Sequence, residues 1–172
     1  ITPTAEANGS ITPRTAQTVD YGSEQGFIIA ADPHYHILDV AVDGVSVGAV
    51  DIYTFTNVTA NHTITASFAI DVHSLNLYKD GMGDGTLGQD PPGNSFEYGT
   101  VVTITATPLI SSTFTDWSIV NAARAEPINP ITVTISSDTA ITGTFMLKNF
   151  AFALHKDGTG DGTLTNDPAG SS

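Results

Sequence analysis

Cysteine is absent from the 172 residues of the chain, and basic side chains are scarce. Without thiols the protein has no disulfides, no thiolate zinc sites and no cysteine nucleophile. Five Lys and Arg residues stand against 18 Asp and Glu residues, which gives a formal net charge of −13 at pH 7. Because binding to a phosphate backbone needs clustered basic side chains, we expect no nucleic acid among the partners.

Long apolar runs and recognisable catalytic motifs are missing as well. No run in the sequence approaches the roughly 20 apolar residues that a membrane-spanning helix needs, so we expect no direct membrane insertion. The sequence contains no nucleophile elbow, no zinc-binding helix motif and no phosphate-binding loop. We therefore predict that the protein is not an enzyme.

An internal repeat is the main positive feature of the sequence. The segment Lys79–Leu87 returns as Lys156–Leu164, an offset of 77 residues, and the same offset links Tyr21-Gly22 to Tyr98-Gly99. Self-similarity at a fixed period indicates a tandem array of structural units. We predict module one at residues 1–71, module two at 72–148, and the start of an incomplete third module at 149–172.

Alternation of apolar and polar residues predicts the structure of each module. The segments Ile64–Ile70 and Val102–Ala106 place apolar side chains on one face and mostly Thr or Ser on the other. Phe114 and Trp117 are three residues apart, so a β-bulge must separate them if both face inward. We predict an all-β fold of tandem small antiparallel modules, β-sandwich-like or β-grasp-like, without a substantial helix.

The residues that carry the repeat also resemble a known family. The runs Val42–Gly48, Tyr53–Val58 and His62–Phe68, together with the Tyr-Gly and Ser-Thr-Phe-x-x-Trp patterns of module two, are similar to divergent internalin-B-type B repeats. These are also called the Listeria–Bacteroides repeat group. The resemblance implies an extracellular or cell-surface bacterial protein in which strings of β modules serve as stalks, spacers and adhesive regions. It supplies no catalytic residues.

The acidic, Gly-rich turn of the repeat is the best candidate for a ligand site. It places carboxylates near one another in a loop, and calcium prefers oxygen ligands in such loops. The alternative is a tight hairpin in which Gly supplies positive φ and Asp caps the turn. No other cofactor is expected. The candidate calcium ligands are Asp80, Asp84, Asp90, Asp157, Asp161 and Asp167.

Two hypotheses for function follow. In the first, the chain is a structural stalk or spacer, or the body of a surface fibre. Its partners are then neighbouring repeats or copies of itself, joined at sheet edges, and segment 149–172 exchanges strands with another copy. In the second, the chain is a module attached to a larger enzyme or adhesin that binds surface glycans or proteins. An exposed aromatic cluster that includes Trp117 would favour this hypothesis, whereas the places of Trp117, Phe114 and Tyr98 in the repeat pattern indicate core packing instead.

Overall fold

The computed structural model describes residues 1–120, 128–151, 153, 155, 157–160 and 162–163. The described residues form fourteen β-strands and no helix, which confirms the predicted all-β fold. It follows that no described segment is a helix long and apolar enough to cross a membrane. The strands fall into two units, because β1 to β7 pair only with one another and β8 to β14 do likewise.

The first unit contains two small sheets that share one core. One sheet has the order β1-β7-β4-β5 and the other β2-β3-β6. Alternate residues of β3 and β7, such as Phe27, Ile29 and Ile64, are buried, while the residues between them are more exposed. The strands are β1 (Thr2–Ala5), β2 (Gly9–Thr12), β3 (Gln25–Ala31), β4 (Tyr35–Val42), β5 (Val45–Gly48), β6 (Ile52–Phe55) and β7 (Thr63–Ile70).

The second unit repeats this plan around its own core. Its sheets have the orders β10-β8-β14-β12 and β13-β11-β9. Val102, Ile104, Trp117 and Phe145 lie in one buried cluster, separate from the cluster of the first unit. The strands are β8 (Val72–Asp80), β9 (Gly85–Asp90), β10 (Ser95–Glu97), β11 (Val101–Pro108), β12 (Ser112–Ile119), β13 (Ile131–Thr134) and β14 (Thr139–Leu147).

Two strand pairs differ from the antiparallel pattern that the sequence predicts. β1 runs parallel to β7, and β8 runs parallel to β14, whereas the other pairs are antiparallel. In each unit the first and last strands are neighbours, and the rest of the unit forms the long connection that a parallel pair requires. Each unit is thus closed by its own two ends.

The predicted bulge between Phe114 and Trp117 is present. The register of β12 against β14 shifts between Phe114 and Asp116, and the first unit shows the same shift between Ile37 and Asp39. The extra residue turns Trp117 inward, where it is fully buried. The bulge is therefore a shared element of both units.

Candidate functional site

The connection between the two units is a single residue. β7 ends at Ile70 and β8 begins at Val72, so only Asp71 lies between them. The backbone N–H of Asp71 donates to the carbonyl oxygen of His34 in the first unit, with an N···O distance of 2.8 Å. Its carbonyl oxygen accepts from the backbone N–H of Tyr98 in the second unit, also at 2.8 Å. The linker is thus bonded to both units.

An aromatic stack spans the same junction. The imidazole of His34 lies parallel to the ring of Tyr98, with the centroids 3.6 Å apart and the planes 7° from parallel. His34 has a φ of 70° at the turn between β3 and β4. His73 approaches Tyr98 from another side, with the ring centroids 6.3 Å apart. Stacked rings contribute about 0.5–1.5 kcal/mol beyond their buried area.

Two carboxylates form further bonds near this stack. Asp71 Oδ1 lies 3.0 Å from His36 Nδ1 on β4. Asp138 Oδ1 accepts from the backbone N–H of Ser74 at 2.8 Å and from its hydroxyl at 3.1 Å. These bonds, the backbone N–H first, lower the pKa of Asp138, because they stabilise the charged carboxylate.

The strand that follows the linker, β8, is part of the second unit's sheet. Residues 72–74 pair antiparallel with β10, in a register that sets His73 opposite Phe96. The segment that leaves the first unit is therefore an integral strand of the second. The sequence predicts a module boundary between residues 71 and 72 but not the contacts across it, because the partner of Tyr98 is not repeated: the residue 77 positions after His34 is Ser111.

The acidic turn has the geometry of a capped hairpin. Asp84 Oδ1 accepts from Lys79 Nζ at 2.6 Å and from the backbone N–H of Gly85 at 2.8 Å. The hydrogen bond from Lys79 is the main cause that lowers the pKa of Asp84. Asp80 caps the backbone N–H of Gly81 at 2.7 Å.

The remaining predicted calcium ligands are not gathered around this turn. Asp90 ends β9, about 16 Å along the strand from Gly85 at ~3.3 Å per residue. Asp157 accepts from the backbone N–H of Gly158 at 2.7 Å, and Asp161 and Asp167 lie outside the described residues. No three His, Asp or Glu side chains of the described residues converge as a metal site would need. Calcium binding stays a prediction from the sequence.

The glycines of the turn are explained by packing against β14. Gly81 has a φ of 94°, and a Cβ there would lie 2.1 Å from the carbonyl oxygen of Phe145. A Cβ on Gly85 would lie 2.3 Å from the ring of Phe145, and one on Gly9 would lie 2.3 Å from the ring of Phe68. The repeated Gly and the repeated Phe are therefore partners in both units.

The aromatic residues of β12 belong to the core. Trp117 is 0% exposed, and its Nε1–H donates to the carbonyl oxygen of Ile128 at 3.1 Å. Phe114 packs against Trp117, with the ring centroids 4.8 Å apart. Trp117 is therefore packed in the core, as its place in the repeat indicates, and its burial counts against the adhesive hypothesis.

Comparison with known proteins agrees with these two similar units. The family model of the divergent InlB B-repeat domain matches residues 1–72 and again residues 76–149. The chain belongs to the divergent InlB B-repeat family. The InlB-type repeats are typically non-catalytic and belong to bacterial surface proteins. No curated protein and no solved structure shows significant similarity to the chain.

The family assignment confirms the resemblance stated from the sequence and fits what the geometry can do. Outside the two cores of this InlB-type pair, His34, Asp71 and Tyr98 form a cluster at the junction. Its groups bond to one another across the boundary between the repeats.

Proposed function

We propose that this chain is a spacer segment of a bacterial cell-surface protein, in which successive repeats hold a distal region away from the cell. The observation that supports this role is the one-residue linker, whose N–H and C=O groups each bond a different unit. A flexible Gly/Ser linker would let the units reorient freely. Here the covalent link itself leaves little freedom.

The contact between the two units is small, but several bonds restrict their relative motion. Each of the two linker hydrogen bonds contributes about 0.5–1.5 kcal/mol, and the stack of His34 on Tyr98 adds a similar amount. Domain interfaces of modest size usually permit relative motion. The bonds of Asp71 would not restrict this motion alone. The pairing of residues 72–74 against β10 adds to them, because it anchors the chain in a sheet directly after the linker.

The charge of the chain suits a crowded surface outside the cell. A formal charge of −13 spread over 172 residues keeps neighbouring copies soluble and makes them repel one another. The spacer role needs no cofactor and no bound substrate. A fibre built by strand exchange through 149–172 stays a prediction, and deleting that segment tests it, since polymers that persist after the deletion would contradict it.

The experiment that tests the spacer role measures height. One, two or three copies of residues 1–151 are placed between a cell-wall anchor and a fluorescent tag, and the distance from tag to membrane is measured by energy transfer to a membrane dye. A stiff array predicts a height that grows in proportion to copy number. A flexible chain predicts growth with roughly the square root of length, and that result would overturn the proposal.

The control variant for this experiment loosens only the junction. Inserting Gly-Ser-Gly-Ser after Asp71 separates the units without touching either core. We expect this variant to display the tag lower and over a broader range of heights than the parent. Equal heights for the two would mean that the junction does not stiffen the array.

A further inference from the structure

Histidines are concentrated at the boundary between the two units, where three of the chain's five lie. His34 stacks on Tyr98, with the ring centroids 3.6 Å apart, and His73 approaches the same ring at 6.3 Å. His36 Nδ1 lies 3.0 Å from Oδ1 of Asp71 in the linker. Histidine is the side chain whose charge ordinarily changes between pH 5 and pH 8. This boundary therefore gains positive charge on mild acidification.

His36 faces the carboxylate of the linker. It lies on β4 opposite Ala69 of β7, and Asp71 follows directly after the end of β7. The neutral imidazole donates an ordinary hydrogen bond to Asp71, whereas the imidazolium donates a charge-assisted bond, which is roughly twice as strong. An Asp carboxyl ordinarily stays ionised down to about pH 5. Protonation of His36 therefore fastens the linker more tightly to the first unit.

His34 carries the contact across to the second unit. Its ring lies parallel to that of Tyr98, with the planes 7° apart. While His34 is neutral, the contact is an aromatic stack. Once His34 is protonated, a cation lies over the face of a phenol ring, which is the geometry of a cation–π interaction. Protonation of His34 therefore strengthens the contact between the units.

His73 acts on the segment that anchors the linker in the second unit. It lies on β8 opposite Phe96 of β10, and its Nδ1 is 4.0 Å from Asp138 Oδ1. The bonds from Ser74 lower the pKa of Asp138, so this carboxylate stays charged in mild acid. A protonated His73 is attracted to it, and this attraction secures residues 72–74 beside β10.

Two further charged groups at this boundary are acidic. Asp32 lies in the turn that carries His34, and Glu97 ends β10. Lys79 and Lys148 form their bonds at the other end of the second unit. Together with the two carboxylates that face His36 and His73, these acids outnumber the three imidazoles. The mutual repulsion of three imidazolium groups is therefore offset by the surrounding negative charge.

We propose that the junction is a pH-responsive contact, which tightens as His34, His36 and His73 take up protons between about pH 7.5 and pH 5.5. By linkage, an arrangement that favours protonated imidazoles is fully stabilised at the acid end of this range and loses that stabilisation as the pH rises. The inference rests on the proposed spacer function and adds its regulation, because the array becomes stiffer in mildly acidic surroundings. Each exposed ion pair accounts for about a two- to fivefold effect, so we expect about tenfold in total.

Hydrogen exchange of two backbone amides tests the proposal in the intact chain. The Asp71 N–H bonds the His34 carbonyl and the Tyr98 N–H bonds the Asp71 carbonyl, so both amides exchange when the junction opens locally. Nuclear magnetic resonance at pH 7.5 and pH 5.5 gives their protection factors, corrected for the intrinsic effect of pH on exchange. We expect both factors to rise about tenfold on acidification. The Glu6 and Leu109 amides, each bonded within one unit, should change little.

Two variants identify the groups responsible. His36→Gln keeps a donor for Asp71 that does not titrate, so it should reduce the rise to about threefold. Combining it with His34→Asn should abolish most of the rise, and Asn tolerates the φ of 70° at residue 34. His62→Gln is the matched control and should retain the full rise, because His62 bonds Asp43 inside the first unit at 2.7 Å. Circular dichroism verifies that each variant folds.

The outcomes separate the pH response from the spacer role. Equal protection of Asp71 and Tyr98 at the two pH values, or the same rise in the double variant as in the parent, would overturn the pH response. Strong protection at both pH values would leave the spacer role standing, since that role needs only a stiff junction. Heights that grow with the square root of length would instead overturn the spacer role.

Discussion

Gly85 illustrates at the scale of one residue why the Gly-rich turn recurs. Its Cα lies against the ring of Phe145 and the carbonyl oxygen of Thr107, with no room for a methyl group. The acidic residues of the same turn are held by Lys79 and by backbone N–H groups. The glycines of the turn are therefore required by packing, and its carboxylates cap backbone N–H groups of the turn.

Replacing Gly85 by Ala should destabilise the second unit by about 1–3 kcal/mol, the usual cost of overpacking a core. A Cβ would sit 2.3 Å from the Phe145 ring and 2.7 Å from the backbone oxygen of Thr107. Urea denaturation followed by the fluorescence of Trp117 measures the effect. Gly88→Ala, on the same strand with nothing within 4 Å, is the control and should change stability little. Equal losses in both variants would contradict the packing explanation.

Asp138 should make the stability of the chain depend on acid pH. The bonds from Ser74 lower the pKa of Asp138 in the folded state. In the unfolded chain the pKa of an Asp carboxyl is about 3.9. The carboxylate therefore contributes fully to the free energy of unfolding above the unfolded pKa. This contribution is lost as the pH falls through the lower pKa of the folded state. Asp43 and Asp84, whose pKa values are also lowered, act in the same direction.

Asp138→Asn tests this linkage. We expect thermal stability to fall less steeply between about pH 5 and pH 2 in the variant, because one depressed carboxyl has been removed. Asn is a fitting replacement, since Asn61 stands at the equivalent place in the first unit. An unchanged slope would mean that the bonds to Ser74 do not contribute to stability.

At the scale of the strand, the junction depends on what Tyr98 contacts. Tyr98 stacks on His34, whereas Tyr21 at the equivalent position is exposed. Tyr98→Ala should therefore destabilise the chain by about 1–2 kcal/mol more than Tyr21→Ala. It should also separate the melting of the two units, which calorimetry resolves at low protein concentration. Similar losses from both substitutions would mean that the stack adds nothing to the coupling.

The strands were largely predictable because their pattern is local. Alternation fixed the buried faces of β7 and β11, and the spacing of Phe114 and Trp117 indicated the bulge. The parallel pairing of β1 with β7 was not predictable, because it joins the two ends of a unit and no neighbouring residues encode it.

The candidate site was less predictable than the strands. Asp84 and Asp90 are close in sequence, but β9 carries Asp90 away from the turn. The boundary at residue 71 was predicted, but the contacts across it were not, because they depend on His34 and Asp71, which have no counterparts of the same type one repeat later. Proximity in sequence and internal repetition were both poor guides to this contact, which joins residues of two different units.

At the scale of the whole molecule, two similar units follow one another with a single residue between them. Each unit has its own core, so a substitution in one core leaves the packing of the other core unchanged. The family model matches once over each unit, so the two units are successive copies of one repeat. Repeating the contact at Asp71 between further copies of the unit would give spacers of different lengths.

The most direct test of this account is the distance distribution between the two units in solution. The chain has no cysteine, so Thr54→Cys on β6 and Thr105→Cys on β11, both exposed, can carry spin labels at two defined points. Electron–electron double resonance should give one narrow distance peak, which broadens when Gly-Ser-Gly-Ser is inserted after Asp71. A parent distribution as broad as that of the insertion variant would contradict the claim that the junction holds the repeats in a fixed orientation.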